Sequence, residues 1–133
     1  MPNPANPTAK QKLILVVEDD KHTNELFSST IRMAGFEVVS CYSAEDALME
    51  VGKRLPDLIV LDLLLPKMDG WELCRALRQE GTETRKIPIV IASVISHHDV
   101  EKSSESMGIL SFFNKPFEPA RLVAELKRIF TAI

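Results

Sequence analysis

The sequence has only 2 cysteines, no Cys-x-x-Cys and no histidine close to either one. That excludes a zinc site built on paired thiolates, and nothing supports a disulfide. Cys41 and Cys74 sit inside apolar-patterned segments, where reduced, half-buried thiols of a cytoplasmic protein are expected. No apolar run approaches the roughly 18–20 residues of a membrane-spanning helix. The N-terminus lacks the charged-then-apolar layout of a signal peptide, so no membrane insertion is expected. With 16 Lys and Arg against 19 Asp and Glu, the net charge is −3. There is no broad basic footprint and no compositional support for direct nucleic-acid binding. Neither Gly-x-Gly-x-x-Gly nor a Walker-type loop occurs, which removes the usual motifs of a nucleotide-binding module.

What is present is an ordinary globular composition, 45% hydrophobic and 26% charged, over 133 residues. That suits one domain with a proper core. Residues 1–11, with Pro2, Pro4 and Pro7 among Asn, Ala and Thr, have no periodic pattern and are expected to form a flexible leader. The domain then runs over 12–133.

Strands and helices alternate from there. Leu13–Val17 is a continuous apolar run, as in a strand buried on both faces. It stops at Glu18-Asp19-Asp20. Leu26, Phe27, Ile31 and Ala34 share a helical face over about 21–34, and Gly35 is placed to end it. Glu37–Cys41 is a short second strand. Ser43 reads as an N-cap with Asp46 at the third position, and Ala47, Leu48, Val51 and Leu55 continue one face as far as Pro56. Leu58–Leu61 is the third strand, and Leu73, Cys74 and Leu77 mark a helix starting near Gly70. Ile87–Ala92 is a fourth strand, with Pro88 tolerable near its beginning. Residues 97–108 form a weakly amphipathic helix, expected to be the least firmly packed. Ile109–Asn114 is a fifth strand, and Leu122, Leu126, Ile129, Phe130 and Ile133 line a final helix. Five βα repeats imply an α/β fold: a doubly wound, five-stranded parallel sheet covered on both faces, with right-handed crossovers.

Four of the strands run into a distinctive polar residue: Glu18 and Asp19, Asp62, Ser93 and Lys115. Singly, each has an ordinary explanation. Asp62 can end a strand facing water, or be held there beside a metal or reactive partner. Glu18-Asp19-Asp20 can be an acidic helix N-terminus, favourable with the macrodipole. Ser93 can be a plain strand-end residue and Lys115 a solvated loop lysine. Jointly they are harder to dismiss, because all lie at the carboxyl edge of the sheet, where open α/β folds bind ligands. In the common strand order 2-1-3-4-5, the first and third strands are neighbours, so Glu18, Asp19 and Asp62 converge. Three close carboxylates cannot all stay ionised without a countercharge. A hard divalent cation with oxygen ligands, Mg²⁺ (or Mn²⁺), is the economical one. Lys115 adds a positive charge and Ser93 a hydroxyl donor. An incoming phosphoryl group needs this set while Asp62 attacks phosphorus.

Over about 12–133 the sequence resembles the receiver domain of two-component response regulators, the CheY-like superfamily with its flavodoxin-like (βα)5 sandwich. The resemblance is carried by residues 14–20 (ILVVEDD), 61–70 (LDLLLPKMDG), 87–93 (IPIVIAS) and 114–117 (NKPF). It implies that Asp62 accepts a phosphoryl group from a phosphohistidine on a sensor histidine kinase or a histidine phosphotransfer protein. Glu18 and Asp19 match the acidic metal-binding pair, with Asp20 the variable residue after it. Asp62 and the backbone carbonyl of Leu64 would complete the ligands to Mg²⁺. Ser93 matches the switch hydroxyl, Lys115 the lysine of the site and Phe112 the switch aromatic. The Lys115–Pro116 bond is implied to be cis. On this reading phosphorylation draws Ser93 inward and Phe112 fills the space it leaves. The face formed by the fourth helix, fifth strand and last helix then changes shape for a downstream output protein or domain. A homodimer through that face is compatible with the resemblance. The domain would assist its own phosphorylation and its slow autodephosphorylation without being an enzyme in the ordinary sense.

Some positions depart from the commonest pattern of that family. Val94 stands where a small residue is more usual, and would narrow access to the phosphoryl group. Leu64 and Ile95 are apolar at two positions that tune dephosphorylation, so a long-lived phosphoaspartate is expected. Phe112 lacks a tyrosine's hydroxyl, so the switch must work by packing. A phosphatase-type α/β enzyme would want Asp-x-Asp, and Leu64 occupies the second place. An interaction module of receiver fold without phosphorylation is argued against by the intact Glu18, Asp19, Asp62, Ser93 and Lys115. Two contexts stay open: a stand-alone regulator, and the receiver part of a longer kinase or regulator.

Overall fold

The computed structural model describes residues 11–79, 81–95 and 107–131. The elements are β1 (Leu13–Val17), α1 (Lys21–Met33), β2 (Glu37–Cys41), α2 (Ala44–Lys53), β3 (Leu58–Leu61), α3 (Gly70–Leu77), β4 (Ile89–Ser93), β5 (Ile109–Asn114) and α4 (Pro119–Thr131). The strands form one parallel sheet in the order β2-β1-β3-β4-β5. Val17 lies opposite both Cys41 and Leu61, and Ser93 opposite Asn114. The segments leaving β1 and β3 therefore start side by side.

Alternate strand residues point to opposite faces, and each face has its own apolar core. Leu15, Val17, Ile59, Leu61, Ile89 and Ile91 pack under α2 and α3, through residues such as Val51, Leu73 and Leu77. Ile14, Val16, Leu58, Val60 and Val90 pack under α1 and α4, through Phe27, Ile31, Leu122 and Leu126. Two-sided burial is why the central strands read as unbroken apolar runs. Burying each Leu, Ile or Val side chain contributes about 1.5–3 kcal/mol. Among the described residues, no helix is long and apolar enough to cross a membrane.

Polar side chains close the helix starts. Asp20 accepts from the Thr23 N–H (2.9 Å), Ser43 from the Asp46 N–H (3.1 Å) and Asp69 from the Glu72 N–H (2.9 Å). Each satisfies a donor that the first helical turn leaves unpaired. Gly35, at φ +102°, ends α1 in the left-handed region that a side chain would disfavour. Both cysteines are free and buried. Burial pushes the Cys41 thiol up to about 12 and the Cys74 thiol up to about 11.

Several expectations need correction. Leu26 is 53% exposed; α1 instead buries Asn24, Phe27, Ser28 and Ile31, a helical face half of which is polar. Leu55 lies beyond α2, because the backbone is already extended at Arg54, and its side chain is exposed. β4 starts at Ile89 rather than Ile87 and includes Ser93. The Ile87 N–H donates to the Thr84 carbonyl and closes a 3-10 turn over Glu83–Lys86, so it is spent before the strand begins. In the last helix Leu122 and Leu126 are fully buried, while Ile129 and Phe130 pack only partly against the core. The leader residues 1–10, most of the helix expected over 97–108, and Ile133 lie outside the described residues.

Candidate functional site

The site grows out of two strand ends. Glu18 and Asp62 follow the last residues of β1 and β3, yet both backbones stay in the ladder. The Glu18 N–H donates to the Cys41 carbonyl and the Asp62 N–H to the Val17 carbonyl, both at 3.0 Å. Their carboxylates are thus fixed by the rigid centre of the sheet, at 2% and 7% exposure. Asp19, between Glu18 and the α1 cap, remains exposed. One carboxylate oxygen from each of Glu18, Asp19 and Asp62 lies within 4.8 Å of the others. Lys115 reaches in from beyond β5, its backbone held by its N–H to the Ser93 carbonyl (2.9 Å). Its Nζ donates to Glu18 Oε1 and to Asp62 Oδ2, the latter at 3.0 Å.

The remaining oxygens are also engaged. Glu18 Oε2 accepts from the Asp20 N–H and Asp62 Oδ1 from the Leu64 N–H, both at 3.0 Å. Burial pushes the Glu18 carboxyl up to about 7, reinforced by the Asp62 charge and opposed by the hydrogen bonds from Lys115 and the Asp20 N–H. For Lys115, burial pulls downward, but hydrogen bonds to Glu18 and Asp62 outweigh it and hold the ammonium above its usual range. Three carboxylates facing one ammonium leave a pocket still short of positive charge when all are ionised. The donors are all hard oxygens, a set that fits Mg²⁺ or Mn²⁺ rather than a thiolate-seeking metal.

The other expected residues stand around this cluster. Ser93 is fully buried at the end of β4, and its hydroxyl accepts from the Ile95 N–H at 3.4 Å. Leu64 contributes its amide to Asp62, and its side chain is 52% exposed. Val94 is 58% exposed. Phe112 lies on β5 opposite Ile91, half-buried against the core that α2 and α3 cover. The Lys115–Pro116 bond is cis. The acidic triplet splits by role: Glu18 turns inward, Asp19 stays at the pocket mouth, and Asp20 caps α1.

Sequence reasoning missed three supports. Asn24 Nδ2 donates to the Glu18 carbonyl (3.0 Å) and the Cys41 carbonyl (2.9 Å), and its Oδ1 accepts from Ser28. It ties α1 to the strand ends that carry the acidic pair. The positions 24, 27, 28 and 31 have helical spacing, but a search for apolar residues passes over Asn and Ser. Gly70 packs directly on the end of β3: a Cβ there would lie 2.6 Å from Leu63 Cα and 2.8 Å from the Asp62 carbonyl oxygen. Asn114 bonds to the segment after Ser93, a contact with no local signature.

Known proteins resemble this chain in sequence and in fold. A family model for the response regulator receiver domain matches residues 14–127. PhoB of Pseudomonas aeruginosa, a phosphate regulon transcriptional regulatory protein, is 34% identical over 118 residues, 89% of this chain and 51% of its own length. The chain spans about half the length of the curated relatives it matches. Among solved structures, CheY4 of Vibrio cholerae superposes with a TM-score of 0.82 at 26% identity, covering 90% of this chain and 99% of that one. The receiver domain of a histidine kinase from Syntrophus aciditrophicus gives 0.79 at 28% identity, covering 92% of each. With its strand order, its acidic pocket and these matches in agreement, the chain belongs to the response regulator receiver domain family, a family of signalling domains.

Proposed function

We propose that Asp62 is the phosphoacceptor of a two-component phosphorelay. One observation carries this: Glu18, Asp19 and Asp62 converge within 4.8 Å, and Lys115 bridges the two buried members. The donor is a phosphohistidine on a sensor histidine kinase or histidine phosphotransfer protein, met in the cytoplasm. An Asp62 carboxylate oxygen attacks phosphorus. The O–P bond forms as the N–P bond breaks, and its electron pair leaves with the imidazole. Asp62 is pre-positioned by the ladder bond of its N–H and by the Leu64 N–H on Oδ1, which removes much of the orientational entropy of the encounter. Lys115 places its ammonium where charge accumulates on the transferred group. Mg²⁺ (or Mn²⁺) held by Glu18, Asp19, Asp62 and the Leu64 carbonyl would supply further neutralisation of that charge.

The Ser93 hydroxyl then turns to donate to the phosphoryl oxygens, and Phe112 repacks into the space this opens. The face of β5 and α4 is thereby presented to an output protein or domain, or to a second copy of the chain; the fourth helix expected to share that face lies mostly outside the described residues. The apolar side chains of Leu64, which is exposed, and Ile95, which is half-buried, position attacking water poorly and favour a long-lived phosphoaspartate, while exposed Val94 narrows access to the phosphoryl group. Incubation with acetyl phosphate and Mg²⁺ followed by intact-mass measurement tests the assignment. Wild type gains one alkali-labile phosphoryl group and Asp62→Asn gains none. No adduct in wild type, or the same adduct in the variant, refutes it.

A further inference from the structure

Asn114 is the last residue of β5, one position before Lys115, and its side chain has no part in the mechanism above. Its Nδ2 donates to the carbonyls of Ser93 and Ile95, each at 3.2 Å. These two acceptors flank Val94, so one planar amide clips the segment carrying the Ser93 hydroxyl onto the end of β5. Two backbone donors complete the arrangement. The Lys115 N–H also reaches the Ser93 carbonyl (2.9 Å), and the Ile95 N–H reaches the Ser93 hydroxyl (3.4 Å). In this arrangement the hydroxyl is engaged with its own loop. A hydroxyl that accepts here can still donate its own hydrogen, so its reach to a group on Asp62 is set by where residues 93–95 are held against β5.

We infer that Asn114 is a positioning residue that holds the Ser93–Ile95 segment in its resting arrangement and so sets how readily the phosphorylated state is reached. This rests on the phosphoacceptor reading of Asp62. A neutral amide–carbonyl hydrogen bond biases an equilibrium by roughly three- to tenfold, and a state in which the bond is broken gains that factor when the donor is removed. Asn114 is exposed and lines an open cleft of about 290 Å³ with Phe112, Phe113, Phe117 and Arg121. Truncating it leaves no buried cavity, so Asn114→Ala retains the core.

Titration calorimetry with beryllofluoride, a stable phosphoryl mimic, in the presence of Mg²⁺ tests the clip. Asn114→Ala should bind the mimic roughly three- to tenfold more tightly than wild type, with unchanged affinity for Mg²⁺ alone, because the acidic cluster lies at the ends of β1 and β3. Asn114→Leu, which cannot donate to either carbonyl and adds no charge beside Lys115, should tighten binding by a similar factor. Affinity of Asn114→Ala for the mimic that is unchanged or weaker, with normal wild-type binding, overturns the role. A wild type that bound no beryllofluoride would refute the Asp62 assignment itself, and the clip with it.

Discussion

Replacing Gly70 by alanine is the sharpest probe of how the fold holds its site. The added Cβ would stand 2.6 Å from Leu63 Cα, 2.8 Å from the Asp62 carbonyl oxygen and 3.1 Å from Leu63 Cδ2. Two of these three atoms are backbone, in the segment that leaves the central strand, and cannot rotate away. Ordinary contact needs about 3.5–4 Å, so β3's exit and α3's first turn must separate by close to 1 Å. Overpacking of this kind costs about 1–3 kcal/mol, occasionally more. Alanine's better helix propensity offsets at most about 1 kcal/mol. The net loss should be about 2 kcal/mol, a fall in Tm of roughly 6–10 °C for a chain of this size. The strain also falls on Asp62 itself, whose carbonyl is among the displaced atoms. A reacting group misplaced by about 1 Å can lose on the order of 10²-fold in rate, so the rate of phosphorylation by acetyl phosphate should fall far more than stability does. Thermal denaturation and a phosphorylation time course measure both. A variant that keeps wild-type Tm and wild-type rate would show that this close approach is not what positions Asp62.

Other perturbations follow from the same geometry. Asn24→Leu removes the donor to the Glu18 and Cys41 carbonyls; the Cys41 carbonyl keeps the Glu18 N–H but the Glu18 carbonyl is stranded, so urea denaturation should show about 1–3 kcal/mol of lost stability, together with weaker Mg²⁺ binding. Burial holds the thiols of Cys41 and Cys74 up at about 12 and about 11, so at pH 8 both remain protonated as well as shielded. Iodoacetamide should label neither in the native protein and both in denaturant; native labelling would contradict their burial. Leu64→Asn places a polar group at the exposed rim of the pocket and should shorten the phosphoaspartate lifetime several-fold in a phosphate-release assay. An unchanged or longer lifetime would remove the apolar rim as its cause.

Much was determined by the sequence alone, because local physics decides it. Strands buried on both faces need unbroken apolar runs, as in Leu13–Val17 and Leu58–Leu61, and the partly exposed edge strands Glu37–Cys41 and Ile109–Asn114 also have the expected bounds. Ser43 and Gly35 mark helix ends through capping and a left-handed turn that any chain would need. Alternating βα units put every strand's carboxyl end at one edge, which gathers Glu18, Asp19, Asp62 and Lys115 there, and the order found is the common one among the few topologies left.

Tertiary structure decided what depends on partners distant in the chain. Whether Leu26 is core or surface turned on which face of α1 met the sheet, and that face buries Asn24, whose amide meets two strand-end carbonyls, and Ser28, whose hydroxyl pairs with Asn24 and Ser40. Gly70 owes its importance to a backbone passing within a Cβ's reach, and Asn114 to two carbonyls about 20 residues away. Apolar periodicity reports burial of hydrocarbon. It is silent on buried hydrogen bonds and close backbone approaches, because those are properties of pairs of segments that only meet once the chain has folded.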